Sequence, residues 1–160
     1  MAAKHNADPA ARFCAIIVYD EEEAYRRALR TLVDLDFQVG GGIDIRPIPW
    51  RIEEFGHFYH RALAMENAQA ADIIIVSVTS TVELPETLRQ WLLDCVPHRH
   101  DRSTLLVVAL LGGSEGMDSP ESPRFQFMKK IAAEAGFDFL APAPFGRELS
   151  AKLVDAACAR

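Results

Sequence analysis

The sequence predicts an α/β protein, a three-layer sandwich with helices on both faces of a five-stranded parallel sheet of order 2-1-3-4-5. Three observations predict it. Strand-like and helix-like periodicities alternate along the 160 residues, as crossover helices between parallel strands require. Three strand segments, "RFCAIIVY", "ADIIIVSV" and "TLLVVALL", are continuous apolar runs suited to burial on both faces. The other two carry prolines, which cannot donate to a ladder and belong at sheet edges. The order 2-1-3-4-5 puts the second and fifth strands at those edges.

The first strand runs from Arg12 to Tyr19. In the helix after it, Tyr25, Ala28, Leu29 and Leu32 recur at three- and four-residue spacing. Glu22/Arg26 and Glu23/Arg27 form i,i+4 pairs expected on its wet face. Glycines 40–42 end that helix. An edge strand at 43–49 follows, holding Pro47 and Pro49. A second helix is expected over 53–70, with Phe55, Phe58, Tyr59, Ala62 and Leu63 inward. After the central strand at 71–78, Pro85 opens a third helix that buries Leu88, Trp91, Leu92 and Cys95. The strand at 104–111 leads into a loop over 112–122. Ser122 as N-cap and Pro123 at N1 then start a fourth helix. "FDFLAP" is the fifth strand and 147–159 a final helix.

Bulk properties exclude several classes. A formal net charge of -6 argues against a nucleic-acid surface, which needs clustered Lys and Arg. No apolar run approaches the roughly 20 residues that span a bilayer. The stretch 1–11 has no apolar signal-peptide core and is expected to be a disordered lead-in to a single domain over 12–160. The three cysteines, Cys14, Cys95 and Cys158, lie far apart; the first two fall in apolar runs, which suits buried thiols in a reducing cytoplasm.

In such sheets ligands bind beyond the carboxyl ends of the strands, beside the switch between strands 1 and 3. Those ends supply Asp20, Glu21 and Glu22, then Ser77, Thr79 and Ser80, then Gly112, Gly113 and Ser114, and finally 142–145. Asp20 and Glu23 fit a capping box, with a carboxylate suited to the helix dipole. The functional alternative is a divalent cation held by Asp20 and Glu21, for which Mg²⁺ is the ion considered. The carboxylates of "YDEEEAY" would repel the phosphate of a flavin placed after strand 1. "GGSEG" could offer backbone N–H groups to an anion, but turn chemistry favours a flexible loop. His57 and His60 share a helix face without an evident third metal ligand. Trp50 beside the edge strand is a candidate interface anchor, with core packing the equal alternative.

The carboxyl-end residues carry a family resemblance. The chain resembles a distant, degenerate response-regulator receiver domain of the flavodoxin-like fold over 12–155. It is also similar to uncharacterised bacterial proteins sharing "ADIIIVS…LPETLRQWL". Asp20 and Glu21 match the acidic pair that binds Mg²⁺ in receivers. Ser77 stands where the phosphoacceptor aspartate would be, Ala109 and Leu110 fall near the usual Ser/Thr, and Ala143 replaces the lysine. Phe139 matches the switch aromatic, and Pro144 with Phe145 the Pro-Phe pair. Aspartate phosphotransfer needs a carboxylate nucleophile, a metal and a cation. The resemblance therefore implies a non-catalytic regulatory or interaction domain.

Such a domain would act through a protein partner or homodimer, by the face of helix 4, strand 5 and helix 5. Phe139 and Phe145 are its interaction candidates. The alternative reading is a small-molecule, nucleotide or flavin-binding protein whose site lies at Ser77, Thr79, Ser80, Gly112, Gly113 and Ser114. A third is a structural subunit whose acidic surface meets a basic partner.

Overall fold

The computed structural model describes residues 12–38, 40–80, 83–95, 106–113 and 116–140. The expected lead at 1–11 and helix at 147–159, with Ser114, Ala143, Pro144, Phe145 and Cys158, lie outside the described residues. Strands β1 (Arg12–Tyr19), β2 (Asp44–Arg51), β3 (Ile73–Val78) and β4 (Leu106–Gly113) form the body of the sheet. Helices α1 (Glu22–Gln38), α2 (Phe58–Ala70), α3 (Glu86–Cys95) and α4 (Pro123–Ala135) alternate with them. Two short strands, β5 (Gly116–Met117) and β6 (Asp138–Leu140), both lie against β4. The long strands and β6 are parallel in the order β2-β1-β3-β4-β6, which is the flavodoxin-like order. "FDFLAP" thus supplies β6, and β5 is an antiparallel addition absent from the expectation.

Alternation along the central strands sorts side chains to two cores. Ala15, Ile17, Ile73, Ile75, Val108 and Leu110 face α1, whose Ala28, Leu32 and Leu35 pack on them. Ile16, Val18, Ile74, Val76, Val107 and Ala109 face the other layer, built from α2, α3 and α4. α3 buries Leu88, Trp91, Leu92 and Cys95 as expected. Ser122 caps α4 by accepting from the Phe125 N–H at 3.2 Å, with Pro123 following. At the other end of the sheet Asp72, buried, accepts from the Cys14 N–H at 2.9 Å and ties β1 to the start of β3. Cys14 is half-buried rather than buried.

Two expectations about helix faces are overturned. Residues 53–70 are not one helix: a 3₁₀ turn (Ile52–Gly56) ends at His57, whose extended backbone resets the phase before α2. Phe55 remains buried on the turn, but Phe58 and Tyr59 emerge 80% and 73% exposed, and Ala62 and Leu63 also face outward. The inward positions are Ala64 and Ala68, small enough for close helix–sheet approach. On α1, Glu23 pairs with Arg30 at 2.9 Å instead of Arg27, and Arg27 turns toward the sheet. Glu22 and Arg26 do pair, at 3.5 Å.

β2 shows how the edge is protected. Its ladder with β1 runs unbroken from Asp44 to Arg51, so the nitrogens of Pro47 and Pro49 must face outward. Arg51 shares their parity, and its N–H is met by Glu54 Oε2 at 2.8 Å. The outer edge is therefore poor in free donors, which blocks strand pairing. Restoring them with Pro47→Val and Pro49→Val together should raise self-association. Light scattering at fixed concentration, beside an unchanged far-ultraviolet dichroism spectrum, checks this.

Candidate functional site

The carboxyl ends of β1, β3 and β4 bring together most of the residues singled out from the sequence. Asp20, just past β1, reaches across to the segment after β3. Its oxygens accept from the Thr79 N–H at 3.1 Å, the Ser80 N–H at 2.9 Å and the Thr79 hydroxyl at 3.3 Å. The Glu21 N–H adds a fourth donor at 2.8 Å. The capping box with Glu23 does not form, because Asp20 serves the neighbouring strand and Glu23 reaches Arg30. A divalent cation there would compete with these donors. No group of three His, Cys, Asp or Glu stands ready to hold a metal among the described residues. As arranged, Asp20 and Glu21 do not fit an Mg²⁺ centre.

Ser77 closes the next strand and is 0% exposed. Its hydroxyl donates to the Ala24 carbonyl at 2.8 Å and accepts from Arg27 Nε and Nη2, each at 3.2 Å. Arg27 was not foreseen at this site. Its guanidinium lies across the strand ends, donating to the carbonyls of Val78 at 3.1 Å, Leu110 at 2.5 Å and Gly112 at 2.6 Å. Met117 Sδ is a further contact at 3.6 Å. All of these acceptors are neutral, so burial lowers the Arg27 pKa, while the fields of Asp20 and Glu23 oppose that shift. Only the helix position hinted at this, since Arg27 lies one turn from Ala24 and Thr31 on the buried stripe.

From the opposite face Arg124 does the same for the segment after β3. It is buried, forks onto Asp118 (Nε–Oδ2 2.5 Å, Nη2–Oδ1 2.7 Å) and donates to the Ser80 carbonyl at 2.5 Å. The Ser122 hydroxyl also donates to Asp118, at 2.9 Å, and the Asp118 N–H reaches the Leu111 carbonyl at 2.8 Å. The hydrogen bonds from Arg124 and then Ser122 hold the Asp118 carboxyl below its ordinary value, against the effect of burial.

Gly112 and Gly113 pair antiparallel with Met117 and Gly116 of β5. Gly112 sits at φ +130°, where a Cβ would lie 2.4 Å from the Gly116 carbonyl oxygen. At Gly113 a Cβ would lie 2.7 Å from the Thr79 carbonyl oxygen. These glycines are needed for backbone approach. Beyond β3 and β4 lies a cleft of about 230 Å³ lined by Glu83, Asp118, Ser119, Ser122, Pro123 and Arg124.

The remaining candidates fall elsewhere. Trp50 is in the core, 9% exposed, with Phe55 and His60 rings 6.5 and 6.2 Å away. Phe139 is half-buried, edge-on to Phe125 at 5.3 Å. The His57 and His60 rings meet edge-on at 5.3 Å where α2 begins, His60 also lying 6.2 Å from Trp50.

Replacing Arg27 with Ala should leave three carbonyls unmet and cost about 3 kcal/mol, at roughly 1 kcal/mol for each carbonyl that loses its donor. Arg27→Lys should recover only part, because an ammonium cannot span the same acceptors. Urea unfolding of both variants measures it. Asp118 contributes stability that is complete above its unfolded value near 3.8 and is lost as pH falls through its lower folded value. Asp118→Asn should therefore flatten the acid limb of a stability–pH curve.

No protein-family profile matches the chain, and no curated protein matches it. Among solved structures it is similar to a Streptococcus pneumonia TIGR4 flavodoxin. That match has 15% identity, covers 92% of this chain and 95% of the other, and gives a TM-score of 0.44. The flavodoxin-like assignment rests on the strand order itself.

Proposed function

We propose that the chain is a non-catalytic, receiver-like regulatory or protein-interaction domain. The observation that supports it most is Ser77. The resemblance puts a phosphoacceptor there, and the residue is a buried hydroxyl whose hydrogen is given to Ala24 and whose oxygen is occupied by Arg27. A nucleophile needs access and a base, and this group has neither. Asp20, the other receiver-like position, is likewise occupied by backbone donors. A partner protein is the natural reader of such a domain. α2, which exposes Phe58, Tyr59 and Leu63, offers an apolar face for one.

A second reading, a binder of a small polar molecule, is favoured by the cleft between the starts of α3 and α4. Its Glu83 carboxylate, beside the Arg124–Asp118 pair, suits a small polar ligand better than a phosphate.

Incubation with acetyl phosphate and Mg²⁺, followed by intact-mass analysis, should yield no phosphoryl adduct. An aspartyl phosphate that forms and persists would overturn the proposal. A melting-temperature screen of nucleotides, flavins and small amines separates the second reading, since only a bound ligand shifts the transition.

A further inference from the structure

α2 differs from the other described α-helices in how its amino end is met. Glu22 and Glu23 stand in the first turn of α1, Glu86 in that of α3, and Ser122 caps α4. α2 has no side-chain cap at His57 and no acidic residue in its first turn. The positive end of its dipole therefore lacks the negative group that the other helices supply for themselves. Its outward face is equally unusual. The inward positions are small, Ala64 and Ala68, while Phe58, Tyr59 and Leu63 point to solvent around Ala62. Glu66 is the only charged residue among the exposed positions of the helix. It enters no ion pair or hydrogen bond among the described residues. The exposed Val33 and Phe37 of α1 have a plainer setting, flanked by exposed Arg30 and Asp34.

Helical geometry makes the α2 face complementary to itself. Residues rise about 1.5 Å each along the axis, so a twofold axis between Ala62 and Leu63 sets Glu66 of one copy level with Tyr59 of the other. In that antiparallel pair each Glu66 lies over the first turn of the opposite α2 and brings the negative charge its dipole lacks. The Tyr59 hydroxyl is a donor at the same level. Ala62 at the crossing permits close approach, and Phe58 and Leu63 of each copy cover those of the other. A twofold contact must be self-complementary, and this face is so in both apolar surface and charge. We propose that α2 is a homodimer interface, in which two copies of the chain pair their α2 helices antiparallel about Ala62. The pairing rests on the reading of the chain as an interaction domain, and it makes a second copy the partner.

Sedimentation velocity across a concentration series tests the pairing. The mass should rise reversibly from the 17.8 kDa of one chain toward twice that value. Ala62→Arg, a change at an exposed position, should hold the mass at the monomer's with the urea midpoint in place. Should that variant unfold, Tyr59→Lys should have the same effect in its stead. Glu66→Lys sets a cation over the opposite helix start at two equivalent places. It should weaken dimerisation by about tenfold, the factor that 1.4 kcal/mol represents. Val33→Arg on α1 should leave the dimer as it is. A monomer at every concentration, a dimer undiminished in the folded α2 variants, or one lost equally in Val33→Arg overturns the proposal. The two readings fail separately: a persistent phosphoryl adduct strikes the interaction domain, and a monomeric mass strikes the pairing alone.

Discussion

One guanidinium closes the carboxyl end of this sheet. Parallel strands leave carbonyls pointing past their ends, and in most α/β proteins loops, ligands or water meet them. Here Arg27 meets those of Val78, Leu110 and Gly112 and holds the Ser77 hydroxyl as well. The placement follows from α1. Ala24, Ala28, Thr31 and Leu35 set the buried face of the helix, and Arg27 stands at its margin, long enough to reach beneath the strand ends. The cation is held by neutral dipoles, with Asp20 and Glu23 near enough to favour its charge without touching it.

Around that cation the strand ends act as one polar unit. Ser80 is the shared node, giving its N–H to Asp20 from β1 and its carbonyl to Arg124 from α4. Arg124 in turn holds Asp118, which anchors the segment after the β5 hairpin to Leu111. Networks of this kind are rigid when every member is satisfied, and costly when one is removed. They also leave few groups for a substrate at the place where the fold usually binds one. On α2, by contrast, Phe58, Tyr59 and Leu63 face outward, and the buried Trp50 Nε1, Arg61 Nε and Trp91 Nε1 N–H groups near it have no acceptor among the described residues.

Legibility in the sequence tracked how local the governing physics was. The α3 stripe, the Ser122 cap and the glycines after α1 were readable because each depends on neighbours within one turn. The strand order was readable from burial, because prolines are tolerated only where no ladder needs them. The face of α2 was misread because a single extended residue, His57, resets the helical phase, and periodicity carries no mark of such a break. Glu23 and Arg27 have the spacing of a surface pair, yet only the position of the sheet says which of the two turns inward.

The sequence by itself determined the architecture: which segments form the long strands, which of those strands lie inside, and the alternation of helices between them. Those properties depend on residue type and period, which survive without knowledge of the rest of the chain. The tertiary structure alone decided that Asp20 bonds the Thr79–Ser80 backbone, that Arg27 and Arg124 seal the strand ends from opposite faces, and that Gly113 has no room for a Cβ. These contacts join residues from 34 positions apart, as with Thr79 and Gly113, to 85, as with Arg27 and Gly112. A contact at that distance depends on the packed sheet bringing two backbones together, and no local pattern encodes it.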